Sequence, residues 1–367
     1  MPTDSVFTVG KDASMNDSTQ EYVAYLFAHD DSDEGMIQCG SYTGNQTAGK
    51  QIDLGFEPQF VLIKASSGTG NWYMFDTMRG IVTGGFDPFL RANMSAVESG
   101  AYEQLEVNPT GFSLSADTNV NTNGVDYIYM AVRRPNKPAE EFEPEELFAV
   151  DTMGSAGDGK PPAFRSPLPI DMAIRSDTGG ASHEIASRLN AGKWLYTDQT
   201  AAESSTTNYA DFDFQNGWSN SGTTASNYVS HMWRRAPGFF DVVTYEGNGQ
   251  AGREVPHSLG VAPEMMWIKV RDRSNPWPVY NKDLGNNGLL YLNTDAKVDT
   301  SDRWYYTTPT ESVFTLHSDV DVNRGSSPYI AYLFASVPGI SDIGTYTGNG
   351  GVQIIYCGFD DTSQSVV

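Results

Sequence analysis

Four stretches of this chain read alike: Glu21-Tyr-Val-Ala-Tyr-Leu-Phe-Ala28, Asp126-Tyr-Ile-Tyr-Met-Ala-Val-Arg-Arg134, Asn227-Tyr-Val-Ser-His-Met-Trp-Arg-Arg235 and Pro328-Tyr-Ile-Ala-Tyr-Leu-Phe-Ala335. Each is a strand-length run of β-branched and aromatic residues. The shared tyrosines, Tyr22, Tyr127, Tyr228 and Tyr329, are spaced 105, 101 and 101 residues apart. A period of that size repeats a whole domain rather than a solenoid turn.

A second signature fixes the register. Ser41–Lys64 matches Thr244–Lys269, and its opening returns at Thr345. A divergent middle copy starts near Phe148, where Pro167–Arg175 keeps the proline-to-base spacing of Pro58–Lys64 and Pro263–Lys269. Strand-length runs separated by Gly, Pro and Asn, with no amphipathic helix of ordinary length, predict an all-β chain. The expected architecture is tandem antiparallel β-sandwich modules, jelly-roll or lectin-like, of about 100 residues. Residues 36–135, 147–236 and 240–337 are the predicted whole modules, 1–30 the end of another and 340–367 the start of a further one. Either the two terminal pieces complete each other in neighbouring molecules, or the sequence is a segment of a longer repetitive protein. The second is preferred, because broken modules expose apolar strand edges. Asn248-Gly249 and Asn349-Gly350 read as tight hairpin turns, Pro135–Glu146 as an extended, solvated linker, and the short joints between modules predict a semi-rigid rod.

Composition narrows the function. A net charge of −23 over 367 residues opposes binding to a nucleic-acid backbone, and no apolar run is long enough for membrane insertion. The two cysteines form neither a disulfide framework nor a CxxC pair. The five histidines fall in no GxSxG or HExxH setting, so no cofactor and no enzymatic activity are expected. A glycosidase or depolymerase needs two close carboxylates, for which Asp76, Asp87, Asp213 and Glu184 are only nominal candidates.

Two other chemistries have candidates. The loops carrying Asp117, Asn119 and Asn121, and Asp319, Asp321 and Asn323, alternate short oxygen-bearing side chains; they read as polar turns or as calcium loops holding a structural ion. Trp72 and Trp277 each lie eight residues beyond a module's lysine, Lys64 or Lys269. There an indole either packs a loop or stacks on a sugar, with Tyr73, Asp76, Arg79, Tyr280 and Lys282 completing a glycan site. The arginines ending two of the repeated strands, Arg133-Arg134 and Arg234-Arg235, read as contacts to the next module or as an anion site, the first being preferred.

At Gly-x-Tyr-Thr-Gly-Asn-Gly, Leu54–Lys64, Asp76-Thr-Met-Arg-Gly80 and Tyr-Ile-Ala-Tyr-Leu-Phe-Ala, the chain resembles repeat modules of marine tailed-bacteriophage tail-associated or fibre-like structural proteins. The chain departs from that pattern in its middle copy and at Gln46, where other copies have Gly. The resemblance implies a virion location, in the tail or on the outer surface. It implies a tail-fibre or appendage role in host attachment, with other virion proteins, copies of itself and a host-surface glycan as partners. It brings no catalytic residue. A cellular carbohydrate-binding module array is the alternative, and a carbohydrate-active hydrolase the more distant one.

Overall fold

The computed structural model describes the chain apart from residues 1–2, 4, 33, 82, 101, 154–160, 191, 205–208, 221–226, 297 and 360–367. The described residues form an all-β protein of several discrete antiparallel sheets. The first module contains β1 (Ile37–Thr43), β2 (Lys50–Asp53), β3 (Pro58–Ala65), β4 (Trp72–Asp76), β5 (Leu90–Arg91), β6 (Leu105–Asn108), β7 (Gly111–Leu114) and β8 (Asp126–Arg133). They make a large sheet, β1-β8-β3-β4-β5, and a small one, β2-β7-β6. Strand periodicity sorts their side chains. On β3, Val61, Ile63 and Ala65 are buried, while Phe60, Leu62 and Lys64 on the other face are partly open.

The third module keeps this order. Phe240–Glu246, Pro328–Phe334, Met265–Val270, Pro278–Asn281 and Gly288–Tyr291 follow one another across its large sheet, and Arg253–Pro256 pairs with Val313–Leu316 in the small one. The divergent middle module does the same, with Phe148–Thr152, Tyr228–Trp233, Met172–Asp177, Glu184–Ser187 and Leu195–Tyr196 in sequence across its large sheet.

The repeated tyrosines explain why the motif recurs. Tyr42 stacks on Tyr127 with centroids 5.1 Å apart, and its hydroxyl donates to the Val120 carbonyl. Tyr245, Tyr329 and Val322 reproduce this arrangement, also at 5.1 Å. The Gly-Asn-Gly segment beside them is not the hairpin expected. The strand before it lies in the large sheet and the strand after it in the small one, so it carries the chain between layers. Positive φ is still required there, at Gly249 (68°), Gly350 (74°) and Gln46 (52°). At Gly44 and Gly247 a Cβ would lie 2.2 and 2.1 Å from the Thr122 and Arg324 carbonyl oxygens.

The modules do not form the expected rod. Their large sheets have apolar outer faces as well as inner ones, and burying those faces favours packing the modules side by side. Ile330, Tyr332 and Trp277 of the third module share one apolar cluster with Met172, Ile185 and Leu195 of the second, continuous with the interior of the first. The Pro135–Glu146 linker is likewise partly packed. Its acids are preceded by Ala139, which is buried and donates its N–H to the Pro237 carbonyl, and interrupted by Phe142, which lies under Lys137 and Arg234. Among the described residues no helix is long and apolar enough to cross a membrane.

Candidate functional site

The hairpins carrying Trp72 and Trp277 are built alike. Each tryptophan N–H donates to an asparagine side chain at 2.9 Å, Asn93 in one and Asn293 in the other. The rings have different fates. Trp72 is 37% exposed, whereas Trp277 is fully buried and donates its indole N–H to the Tyr196 carbonyl at 2.9 Å, with the Gln199 carbonyl at 3.2 Å. Lys269 follows the same pattern, its Nζ donating to the Thr200 carbonyl, while Lys64 turns back to its own neighbour, Ala65. Burial pulls the Lys269 ammonium down to about 8, against Asp321 and Asp272, which favour its charge. The second module therefore covers this face of the third. On the corresponding face of the first, Trp72 and Ile128 are exposed.

The other members of the expected glycan site do not join the tryptophans. Successive strand residues point to opposite faces, so Tyr73 is buried beneath Trp72, donating its hydroxyl to Asn119 Oδ1 at 2.8 Å. Tyr280 is also buried, edge-on to Trp304. Asp76 and Arg79 close a turn on each other, and Lys282 pairs with Glu264 at 2.9 Å. Trp277 and Tyr280 are thus corrected from ligand-facing to interior positions.

In the two loops read as polar turns or calcium loops, side-chain oxygens face N–H donors. Asp117 Oδ1 accepts from the Asn119 N–H and from Gln104, and Asp319 Oδ1 from the Asp321 N–H. Buried Asn121 accepts from the Asn45 N–H and donates to the Thr47 and Ser115 carbonyls; Asn323 accepts from the Asn248 N–H and donates to the Gln250 carbonyl. Asp321 holds Arg303 at 2.7 Å and Asn275 at 2.6 Å. These loops brace the crossover between sheets. Among the described residues no group of three His, Cys, Asp or Glu is placed to hold a metal.

The nominal catalytic acids also have partners. Asp87 is buried and accepts the Gln104 and Leu105 N–H groups, and Glu184 pairs with Arg175 and accepts from Tyr209. Asp213 lines a cleft of about 280 Å3 between the first two modules with Arg79, Glu98, Arg188 and Asp211. Burial and Asp211 push its carboxyl up, against Arg188.

What sequence reading placed least well is where the modules meet. Arg235, at the end of the second module, grips Glu57 of the first with two 2.8 Å hydrogen bonds and donates Nε to Asp241 of the third at 2.7 Å. Arg271 of the third module holds Glu203 of the second at 2.8 and 3.0 Å and the Thr83 carbonyl of the first at 3.1 Å. The terminal Arg-Arg pair was legible as an intermodule contact, but nothing in the sequence marked Glu57, Glu203 or Arg271.

Residues 1–135 and 168–362 match the family described as "Domain of unknown function (DUF7483)". The chain belongs to that family. No curated protein and no solved structure matches it.

A cleft of about 490 Å3 between the first and third modules is lined by Gln51, Glu106, Thr244, Glu246 and Arg253, with Leu189 of the second at its base. Burial pushes the Glu106 carboxyl up to about 7; the Gly84 N–H opposes this, while Glu103 and Glu246 add to it. Folding thus raises this pKa, and the associated stability is complete below about 4.5 and lost as pH rises through about 7. Wild-type protein is expected to lose on the order of 2 kcal/mol of unfolding free energy between pH 5 and pH 8 through this group. Urea melts should show that part of the slope missing in Glu106→Gln; an identical pH profile in the variant would contradict it.

Proposed function

We propose that this chain is a structural component of a phage virion, part of a tail fibre or other outer-surface appendage that supports host attachment and assembles with copies of itself and other virion proteins. The observation carrying this reading is the fate of Trp277. A residue recurring at one place in two modules serves in one of them as the anchor between modules, as expected of a building block whose repeated surfaces meet each other. The resemblance to phage tail modules points the same way. The strand order β1-β8-β3 facing β2-β7 supports a jelly-roll, lectin-like sandwich, with β4 and β5 departing from it by staying on the large sheet. The strong negative charge supports partners other than nucleic acid. Mass spectrometry of purified particles should find the chain, and immunogold labelling should place it on the tail or outer surface. Its absence from intact particles would refute the reading.

A second reading, recognition of a host-surface glycan by the first module, is favoured by the open Trp72 ring. In a glycan-array screen Trp72→Ala is expected to reduce any binding at least about tenfold, the loss of one sugar-stacking ring. Binding unchanged in that variant removes this reading.

A further inference from the structure

The Phe240–Glu246 strand lies at the edge of the third module's large sheet, beside Pro328–Phe334. In such an antiparallel pair, residues that exchange hydrogen bonds alternate with residues whose N–H and C=O groups point away from the partner. The bonds just beyond the two ends fix which are which. The Phe239 carbonyl accepts from the Ala335 N–H, and the Gly247 N–H donates to the Ser327 carbonyl. Odd-numbered positions therefore face the neighbouring strand, and Val242, Thr244 and Glu246 present their backbone groups to the open side. The Val242 N–H is taken by the Asp241 carboxylate. Among the described residues nothing bonds to the Val242 carbonyl or to either backbone group of Thr244 and Glu246. Edges of this kind are ordinarily covered or blunted.

This edge borders a space. Every residue from Val242 to Glu246 lines the cleft of about 490 Å3 between the first and third modules, so the cleft runs along the strand. The equivalent strand of the first module, β1, has its edge engaged at the places of Phe240 and Val242: the Ile37 carbonyl accepts from the Asp30 N–H, and the Cys39 N–H donates to His29 Nδ1. The walls of the cleft carry charges that are not spent. Glu106 and Glu246 line it, and neither is ion-paired among the described residues. Burial, and then Glu103 and Glu246, push the Glu106 carboxyl up, and a cation beside it would offset both effects. Arg253 lines the same cleft, and its buried Nε has no hydrogen-bond partner. An extended peptide supplies what each of these groups lacks: main-chain donors and acceptors for the edge, a basic side chain for the carboxylates and carbonyl oxygens for Arg253.

We propose that this cleft binds an extended, lysine- or arginine-bearing peptide segment of a partner protein, which adds as a strand to the Phe240–Glu246 edge. Its main chain bonds to Thr244 and Glu246, whose spacing of two residues is the repeat of a strand ladder. Its basic side chain lies against Glu106 and Glu246. Because Glu106 belongs to the first module and the edge to the third, the bound strand spans both. This recognition does not depend on a virion location.

Fluorescence anisotropy and amide hydrogen exchange on the full chain test it, with a capped peptide of alternating threonine and lysine as the probe. The peptide is expected to bind and to slow exchange in the segment carrying the Thr244 and Glu246 amides. The same peptide N-methylated throughout keeps its charge and cannot donate to the edge. It is expected to bind at least about tenfold more weakly, the loss of two main-chain hydrogen bonds, which separates strand addition from general attraction to an acidic protein. Glu106→Gln combined with Glu246→Gln, with circular dichroism checking the fold, is expected to weaken the parent peptide at least about threefold. No binding at millimolar peptide, equal binding of the N-methylated peptide, unchanged exchange over 242–246, or undiminished binding by the double variant would each overturn the proposal.

Discussion

Trp277→Ala is expected to destabilise the protein by about 3–5 kcal/mol, and Trp72→Ala by less than about 1 kcal/mol. The residues occupy corresponding hairpin positions and form the same backbone bond to an asparagine, so local structure predicts equal effects. The difference arises from the neighbour. Around Trp277 the 194–204 region of the second module closes over the ring, and the indole N–H satisfies the Tyr196 carbonyl. Alanine there opens a cavity between two modules and removes a hydrogen-bond partner, costs that add. Trp72 loses mainly surface contact. Urea unfolding followed by intrinsic fluorescence and circular dichroism should show one transition for wild type and Trp72→Ala, and an earlier, split transition for Trp277→Ala as the second and third modules part. Equal midpoints in the two variants would show that the second module does not hold the third through this ring.

Those two tryptophans also mark how far the sequence could be read. Modules were legible because the Tyr22, Tyr127, Tyr228 and Tyr329 strands recur at nearly constant spacing, and strand character was legible in their alternation. The middle module's similarity is weak, yet its strand order is the same, because topology depends on where strands and turns fall more than on which apolar residue fills them. The Gly-Asn-Gly crossover was misread because positive φ is needed whether the chain returns to its own sheet or crosses to the facing one. Grouping Tyr73 with Trp72 ignored the period-two rule that places neighbours on opposite faces. The side-by-side packing was hidden for a different reason. Whether an outer sheet face meets water or another module depends on contacts between residues such as Glu57 and Arg235, 178 positions apart.

That contact supplies the other large expected effect: Arg235→Ala should cost about 3–5 kcal/mol, because it strands two buried carboxylates. Glu57, Arg235 and Asp241 are all buried, and the guanidinium is the cation they share, joined on the Glu57 side by Arg134 at 3.5 Å. Burial works to raise the Asp241 carboxyl, but Arg235 and Arg134 outweigh it and hold it below the usual carboxylate range. Its stabilising effect is therefore present above the unfolded-state value near 3.8 and disappears as pH falls through the lowered folded value. The penalty of Arg235→Ala should accordingly shrink in acid, where protonation relieves the stranded charges. Glu57→Gln added to Arg235→Ala should restore part of the loss at neutral pH by removing one unpaired charge. Asp241→Asn should restore less, because Asp241 also accepts the Ser258 N–H at 2.8 Å and an amide fits that role only through its oxygen. A double-mutant cycle on Glu57 and Arg235, followed by urea unfolding at neutral and acidic pH, separates the pair from its surroundings. Additive effects at neutral pH would mean that the ion pair does not couple the first module to the second, and that the apolar cluster and the Arg271 bridge hold them together.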